Sequence, residues 1–251
     1  MIRSWWLMLV IVWACPAAQP ERVLALQGKT AHVQGIDTDG VHLWVTSVDR
    51  ATRRGFLAMY SVADGRLVRS VEVQDGERYH PGGIATDDVS IWVPVAEYKA
   101  TSSALIQKRN KRTLALEAQF AVADHIGCIA VHGEHLIGGN WDSREFYVWD
   151  KQGKLLRKVA PTAGNAYQDL KVWNGQLVAS GLLSANNTAG SRAAVDFLEL
   201  PSMRLLRRLE PGDTDTGSPL TREGMAVFEN RLWLLPEDGA SRLFVVPLAP
   251  R

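Results

Sequence analysis

Three histidines stand at one recurring place in this chain of 251 residues. His32, His80 and His125 each lie four residues before an apolar residue, Ile36, Ile84 or Ile129, that opens a strand-like run. Imidazole is the side chain whose charge changes near neutral pH, and its bare ring nitrogen can take a metal ion or a proton. A second set is acidic: Asp49, Glu97, Asp142 and Asp238 each follow another recurring apolar residue (Leu43, Ile91, Leu136, Leu232) by six positions, with Leu183 at that place in the remaining unit. Imidazoles converging from three neighbouring units could hold a divalent metal with one position open, the carboxylates fixing their tautomers from outside. The same side chains could instead move protons, or could only tie neighbouring units together by hydrogen bonds. His32, His80 and His125 are therefore candidate metal ligands, and all seven residues are candidate ligand contacts.

Four more residues join them. Tyr98 follows Glu97 after the apolar run Ile91 to Val95, and Asn140 and Trp141 occupy the same place one unit later, a polar and aromatic surface suited to a sugar, a peptide or a ring-shaped ligand. Glu223 sits two residues before its apolar mark, where Gln34 and Gln168 sit in other units, and is expected to point inward. Cys128 stands one residue before its mark, where other units have Gly35, Gly83 and Gly224, so it reads as a small buried thiol rather than a nucleophile.

Positioning these residues requires a repeating frame, and the apolar marks supply one. Ile36, Ile84, Ile129, Leu170 and Met225 recur every 41 to 55 residues, each followed seven residues on by a second mark, Leu43, Ile91, Leu136, Leu177 or Leu232. Units of this length, each too small to bury its own apolar surface, signal a solenoid or a propeller. Within the first unit the chain reads as strands at Val33 to Asp37, His42 to Ser47, Gly55 to Val62 and Leu67 to Val73, with Asp39-Gly40 and Asp64-Gly65 turns between them. No helical periodicity of any length interrupts this pattern. The fifth unit has only three strands, and the unassigned segment Val23 to Leu26 supplies its missing outer strand. The expected fold is all-β: a five-bladed β-propeller of four-stranded antiparallel blades over residues 21–251, its last blade closed by an N-terminal strand that leaves no open edge.

In such a ring both polar sets belong to the face that carries the long connections Ser184 to Arg192 and Pro211 to Thr221. The other face holds tight turns such as Asn174-Gly175 and Glu229-Asn230. Long loops on a rigid scaffold are where binding concentrates.

Composition bounds the rest. With 28 basic and 27 acidic residues the net charge is +1, which leaves no electrostatic footprint for nucleic acid or an anionic membrane. Arg3, the apolar run Ser4 to Ala14 and the small residues Ala14 to Ala18 form a secretory signal over residues 1–18, cleaved near Cys15 to Ala18. That run is about half of the ~20 residues a spanning helix needs, so no transmembrane span is expected after its removal. Val12-Trp13-Ala14-Cys15 also has the form of a lipobox, so soluble export to the periplasm or beyond and a lipid anchor on Cys15 both stand. Either way Cys128 has no partner for a disulfide, and a monomeric domain of this size must rely on its core.

The four-strand units resemble exported bacterial five-bladed propellers of the YncE-like and quinoprotein-like kind. His32-Val33-Gln34-Gly35-Ile36 is similar to the Gln-Gly-Leu inner strand of plant-type glutaminyl cyclotransferases, which implies the same fold and a cyclotransferase-like activity. The Glu-Ser-Thr-Gly segment of those cyclotransferases is replaced here by Thr46, Ser47, Val48 and Asp49. The chain has no phosphate loop, no Gly-x-Ser-x-Gly elbow and no Cys-x-x-Cys pair. The leading expectation is a non-catalytic propeller that binds a small polar ligand or an envelope protein on its long-loop face. The alternatives are an enzyme on that face, by cyclotransferase-like acyl chemistry or a metal-assisted lyase or hydrolase, and a structural scaffold.

Overall fold

The structure, a computed structural model, describes residues 19–162, 165–183 and 192–248. The signal segment and all of the Ser184 to Arg192 connection except Arg192 lie outside the described residues. Five antiparallel sheets follow one another along the chain. Blade 1 comprises His32–Thr38, His42–Asp49, Arg54–Ser61 and Leu67–Glu72. Blade 3 comprises Ile126–His132, His135–Asn140, Phe146–Asp150 and Leu155–Val159, and blade 4 comprises Ala166–Trp173, Gln176–Leu182, Ala193–Glu199 and Arg204–Leu209. Blade 5 has Gly224–Phe228, Arg231–Leu235 and Arg242–Pro247, and its fourth strand is Arg22–Ala25. That N-terminal strand pairs antiparallel with the third, Val23 opposite Phe244 and Leu24 opposite Leu243, so the first residues of the domain latch the last blade as the sequence indicates.

Blade 2 departs from the plan. Its inner strand comes in two pieces, Arg78–Pro81 and Ala85–Thr86, beside Ser90–Glu97, Ala104–Asn110 and Leu116–Val122. Pro81 has no amide hydrogen to give to a ladder, and Gly82-Gly83 turns aside to meet the inner strands of other blades. The regular helical content among the described residues is one 3-10 turn, Trp141–Ser143, in the blade 3 loop. No helix among them is long and apolar enough to cross a membrane.

The core is not one cluster but five, one between each pair of neighbouring blades. Trp44, Leu57 and Met59 of blade 1 pack on Ile84, Ile91 and Val95 of blade 2, and the ring closes where Ile36, Leu43 and Tyr60 meet Ala226, Trp233 and Leu243 of blade 5. This arrangement explains why the second strands read as continuous apolar runs. Both of their faces are covered, as in Ser90–Glu97, where seven of the eight positions are buried.

Around the axis the inner strands close to backbone contact. A Cβ on Gly35 would collide with Gly83 Cα, and one on Gly83 would lie 2.7 Å from Asp169 Oδ1, on the far side of the axis. Only glycine permits such an approach. Asp169 occupies the slot that is Gly35, Gly83, Cys128 and Gly224 elsewhere, and it fastens this layer. Its Oδ2 accepts the amides of Ile36 at 2.9 Å and Met225 at 3.1 Å, while Oδ1 accepts the Leu170 amide at 3.0 Å and Lys171 Nζ at 2.6 Å. Lys171 Nζ also donates to Ile84 O at 2.7 Å. Blades 1, 2, 4 and 5 are thus tied together at one point, and the channel is shut there. Burial pushes the Asp169 carboxyl up to about 7, against the pull of Lys171 and the amides.

Candidate functional site

Above the glycine layer, on the face of the long connections, the axis opens into a cup of about 390 Å³. Its lower wall arises from a repeated irregularity. In blades 1, 3 and 4 the inner strand carries one extra residue at the same slot, Gln34, Gly127 and Gln168, each in a bulge. A bulge releases its residue from the ladder and turns it off the sheet, and here all three line the cup. Glu223 reaches the same level from the residue just before blade 5's inner strand, and it is 4% exposed.

The three histidines form the next ring up. Each line of bonding runs to the preceding blade: His32 Nδ1 to Asp238 Oδ2 at 2.9 Å, His80 Nε2 to Gln34 Oε1 at 2.6 Å, and His125 Nδ1 to the Lys99 carbonyl at 3.0 Å. Thr221 holds the same slot in blade 5 and donates to Gly181 O of blade 4 at 2.6 Å. These bonds also fix tautomers. Carboxylate and carbonyl oxygens only accept, so the proton sits on Nδ1 of His32 and of His125. Gln34 donates its own amide to Val33 O at 2.8 Å, which turns its oxygen toward His80, whose Nε2 therefore carries the proton. Each ring keeps one bare nitrogen; that of His80, Nδ1, is buried with no hydrogen-bond partner among the described residues.

Burial, with the neighbouring charges of His125, His32 and Arg50, holds His80 well below the usual imidazole range, and burial lowers His125 as well against its carbonyl partners. An aromatic wall continues around blades 2 and 3. Tyr98 lies 4.2 Å from the His80 ring, His80 lies 5.4 Å from His125, and Trp141 meets His125 edge-on at 4.6 Å.

The acidic set divides. Asp238 bonds His32 through Oδ2 and the Val33 amide through Oδ1 at 3.0 Å; burial opposes its ionisation, but the His32 bond and the Val33 amide hold it below the usual range. Asp142 lines the cup, paired with Arg144 at 3.0 Å. Asp49 lies outside the lining and caps the turn at Ala51 and Thr52, bonds that lower its carboxyl. Glu97 is also outside, bound to Lys99 at 2.6 Å and Ser103 at 3.2 Å. Asn140 lines the cup with its amide already committed to Asp124 and the Glu145 backbone.

For a metal, the geometry regroups the candidates. The set of His, Cys, Asp and Glu whose ligand atoms lie within 4.8 Å of one another, among the described residues, is His32, Glu223 and Asp238; His80 and His125 are not in it. The nitrogen of His32 that faces this set is the one donating to Asp238, so a proton already holds the place a cation would need. The set suits proton chemistry better than ligation. Glu223 is the unusual member: burial, then the Asp238 charge, raise its carboxyl well above the usual range, with Arg222 Nε at 3.2 Å as its cationic neighbour and His32 Nδ1 at 3.9 Å.

Two arginines escaped the sequence comparison because neither recurs between blades. Arg50 and Arg222 line the cup mouth. Arg50 lies over the Tyr98 ring at 4.9 Å. Asp169 was legible as the single charged residue in a slot of glycines and cysteine, yet that signal marks a structural fastener. Cys128 is fully buried and its thiol is pushed up to about 12 by burial, an inert group.

No curated protein matches this chain. Among solved structures, Myxococcus xanthus glutaminyl cyclase aligns with a TM-score of 0.67 and 14% identity, over 91% of this chain and 95% of that one. The RRP9 WD40 repeats align with a TM-score of 0.53 and 13% identity, over 93% and 86%. At such identities the likeness extends to the propeller fold alone. A family of unknown function, DUF6454, matches residues 24–177, more than half of the chain. The chain is a member of the DUF6454 family.

Proposed function

We propose that this protein binds a small polar molecule in the cup on its long-connection face. The observation that carries the reading is the cup itself: about 390 Å³, shut below by the glycine layer and walled by hydrogen-bonding and aromatic side chains. That volume falls within the roughly 300–1,000 Å³ of small-molecule sites, which combine flat apolar surface with a few fixed polar groups. Tyr98 and Trp141 supply the surface. Gln168, whose amide makes no hydrogen bond among the described residues, and Glu223 supply polar groups at the bottom. A mouth lined by apolar side chains would have suited a scaffold instead. The cyclotransferase reading has less support, because Thr46, in the replaced segment, is buried with its hydroxyl at Gly35 O (3.2 Å) and Gly82 O (2.7 Å).

The test is calorimetric titration of the intact domain with amino acids, 2-hydroxy acids and monosaccharides. One-to-one binding of a panel member, weakened at least about tenfold by Trp141→Ala, is expected. No binding across the panel, or binding indifferent to that substitution, removes the reading. The same reading places the protein outside the cytoplasm on the strength of Arg3 and the apolar run to Ala14. Mass spectrometry of the mature chain is expected to find an N-terminus between Cys15 and Gln19, and one at Met1 defeats that part.

A further inference from the structure

We propose that the cup performs proton transfer on a small carbon acid that bears a carboxylate, with His32 Nε2 as the base and the Glu223 carboxyl as the acid. The proposal rests on the binding reading and goes beyond it.

Geometry comes first. Asp238 is fixed at both oxygens, by the Val33 amide at 3.0 Å and by His32 Nδ1 at 2.9 Å, so the His32 ring is oriented and its proton lies on the Asp238 side. The opposite nitrogen, Nε2, has no hydrogen-bond partner among the described residues, and His32 lines the cup with its side chain 18% exposed. A base must be bare, oriented and within reach of substrate; Nε2 is bare, its ring is oriented through Nδ1, and that ring belongs to the cup lining. Asp238 acts through His32 and is a positioning residue. Glu223 sits on the same side of the cup, 3.9 Å from His32 Nδ1, with its side chain 6% exposed. The environments of the two carboxyls diverge, burial raising Glu223 while the His32 bond and the Val33 amide hold Asp238 down. Such divergence is how one site sets a carboxyl suited to give a proton beside one suited to stay an anion. The other charged or titratable side chains of the cup are Arg222 beside Glu223 and, elsewhere in the lining, His80, Tyr98, Arg50, His125 and Asp142.

The substrate class follows from the mouth. Arg50 has a ring beneath it but no carboxylate partner among the described residues, and Arg222 has only Glu223. Two guanidinium groups at the rim of a small cup select a carboxylate. In the step, the C–H bond beside a carbonyl breaks and its proton goes to His32 Nε2. The electron pair moves into the carbonyl, whose oxygen receives the Glu223 proton, giving an enol. Return of both protons regenerates the substrate or its isomer, with no oxidant, reductant or added group.

The experiment is proton NMR in D2O on the intact domain with amino acids, 2-oxo acids and 2-hydroxy acids, paired with thermal melting of the same mixtures. At least one compound is expected to raise the melting temperature and to lose its C–H signal faster than in buffer. His32→Asn and Glu223→Gln should each slow that loss at least about 100-fold when compared at ligand concentrations that saturate each variant's own melting shift. Should either variant fail to fold, Asp238→Asn takes its place, with exchange slowed and the melting shift kept. A melting shift without exchange overturns the proton-transfer inference and leaves the binding reading standing. Neither signal overturns both, and exchange that survives His32→Asn overturns the role of His32.

Discussion

Asp169 and Glu223 are both buried carboxyls near the axis, one in the floor and one in the cup, and their surroundings differ. Asp169 receives four donors, three amides and the Lys171 ammonium, which itself reaches a carbonyl of another blade. Glu223 has one cationic neighbour, Arg222, whose other face is exposed, and a histidine proton already given to Asp238. Satisfying every lone pair turns a buried charge into a fastener. Leaving one under-satisfied keeps a proton available in a place a ligand can reach. Burial is shared by both residues; partners separate structure from chemistry.

The largest expected effect tests that difference directly. Asp169→Ala strands Lys171 as a buried cation and frees the amides of Ile36 and Met225, a loss of about 3–5 kcal/mol by denaturant unfolding. Glu223→Gln removes an ionisable group that burial disfavours and should cost less than about 1 kcal/mol. Equal losses in the two variants would erase the distinction.

A second pair compares the same two layers through glycine. Gly35→Ala drives a methyl into the Gly83 backbone, where nothing flexible can yield, and should cost about 1–3 kcal/mol or more. Gly127→Ala, in the cup wall, meets nothing closer than 3.9 Å and should stay within about 0.5 kcal/mol. A cup that tolerated Gly127→Ala no better than the floor tolerated Gly35→Ala would have to be as tightly closed.

The smallest effect depends on pH. His80 is neutral in the fold and its imidazole is held well below the ordinary 6.5, so the unfolded chain binds the extra proton. Its contribution is therefore present above pH 6.5 and is lost as pH falls below it. His80→Gln should thus gain on the native protein by about 1–2 kcal/mol between pH 7 and pH 5 in urea midpoints. A difference between the two proteins that stays flat over this window would mean that His80 titrates normally and that the cup wall is wetter than its burial suggests.

Much of this was legible in the chain. Apolar marks at constant offsets reveal five blades, and Val23 to Leu26, left over by the count, finds its place beside Arg242–Pro247 because a propeller cannot leave an edge open. Register also put His32, His80 and His125 on one ring, since the slot fixes depth along the inner strand. It could not say what each would touch. Asp49 and Asp238 share a slot, yet one caps its own turn and the other crosses to the next blade. The break in blade 2's inner strand and the bulges at Gln34, Gly127 and Gln168 leave no mark in a hydrophobic pattern, because they answer to neighbours far away in sequence.

Local periodicity and the need to bury apolar faces were enough to dictate the ring, its closure and the depth of each layer. Tertiary structure decided which imidazole meets which acceptor, where the channel is shut, and which carboxyl is left short of partners. Those outcomes depend on contacts between blades across the axis, such as Asp169 with Ile36 and Met225, whose partners lie 133 and 56 residues away along the chain.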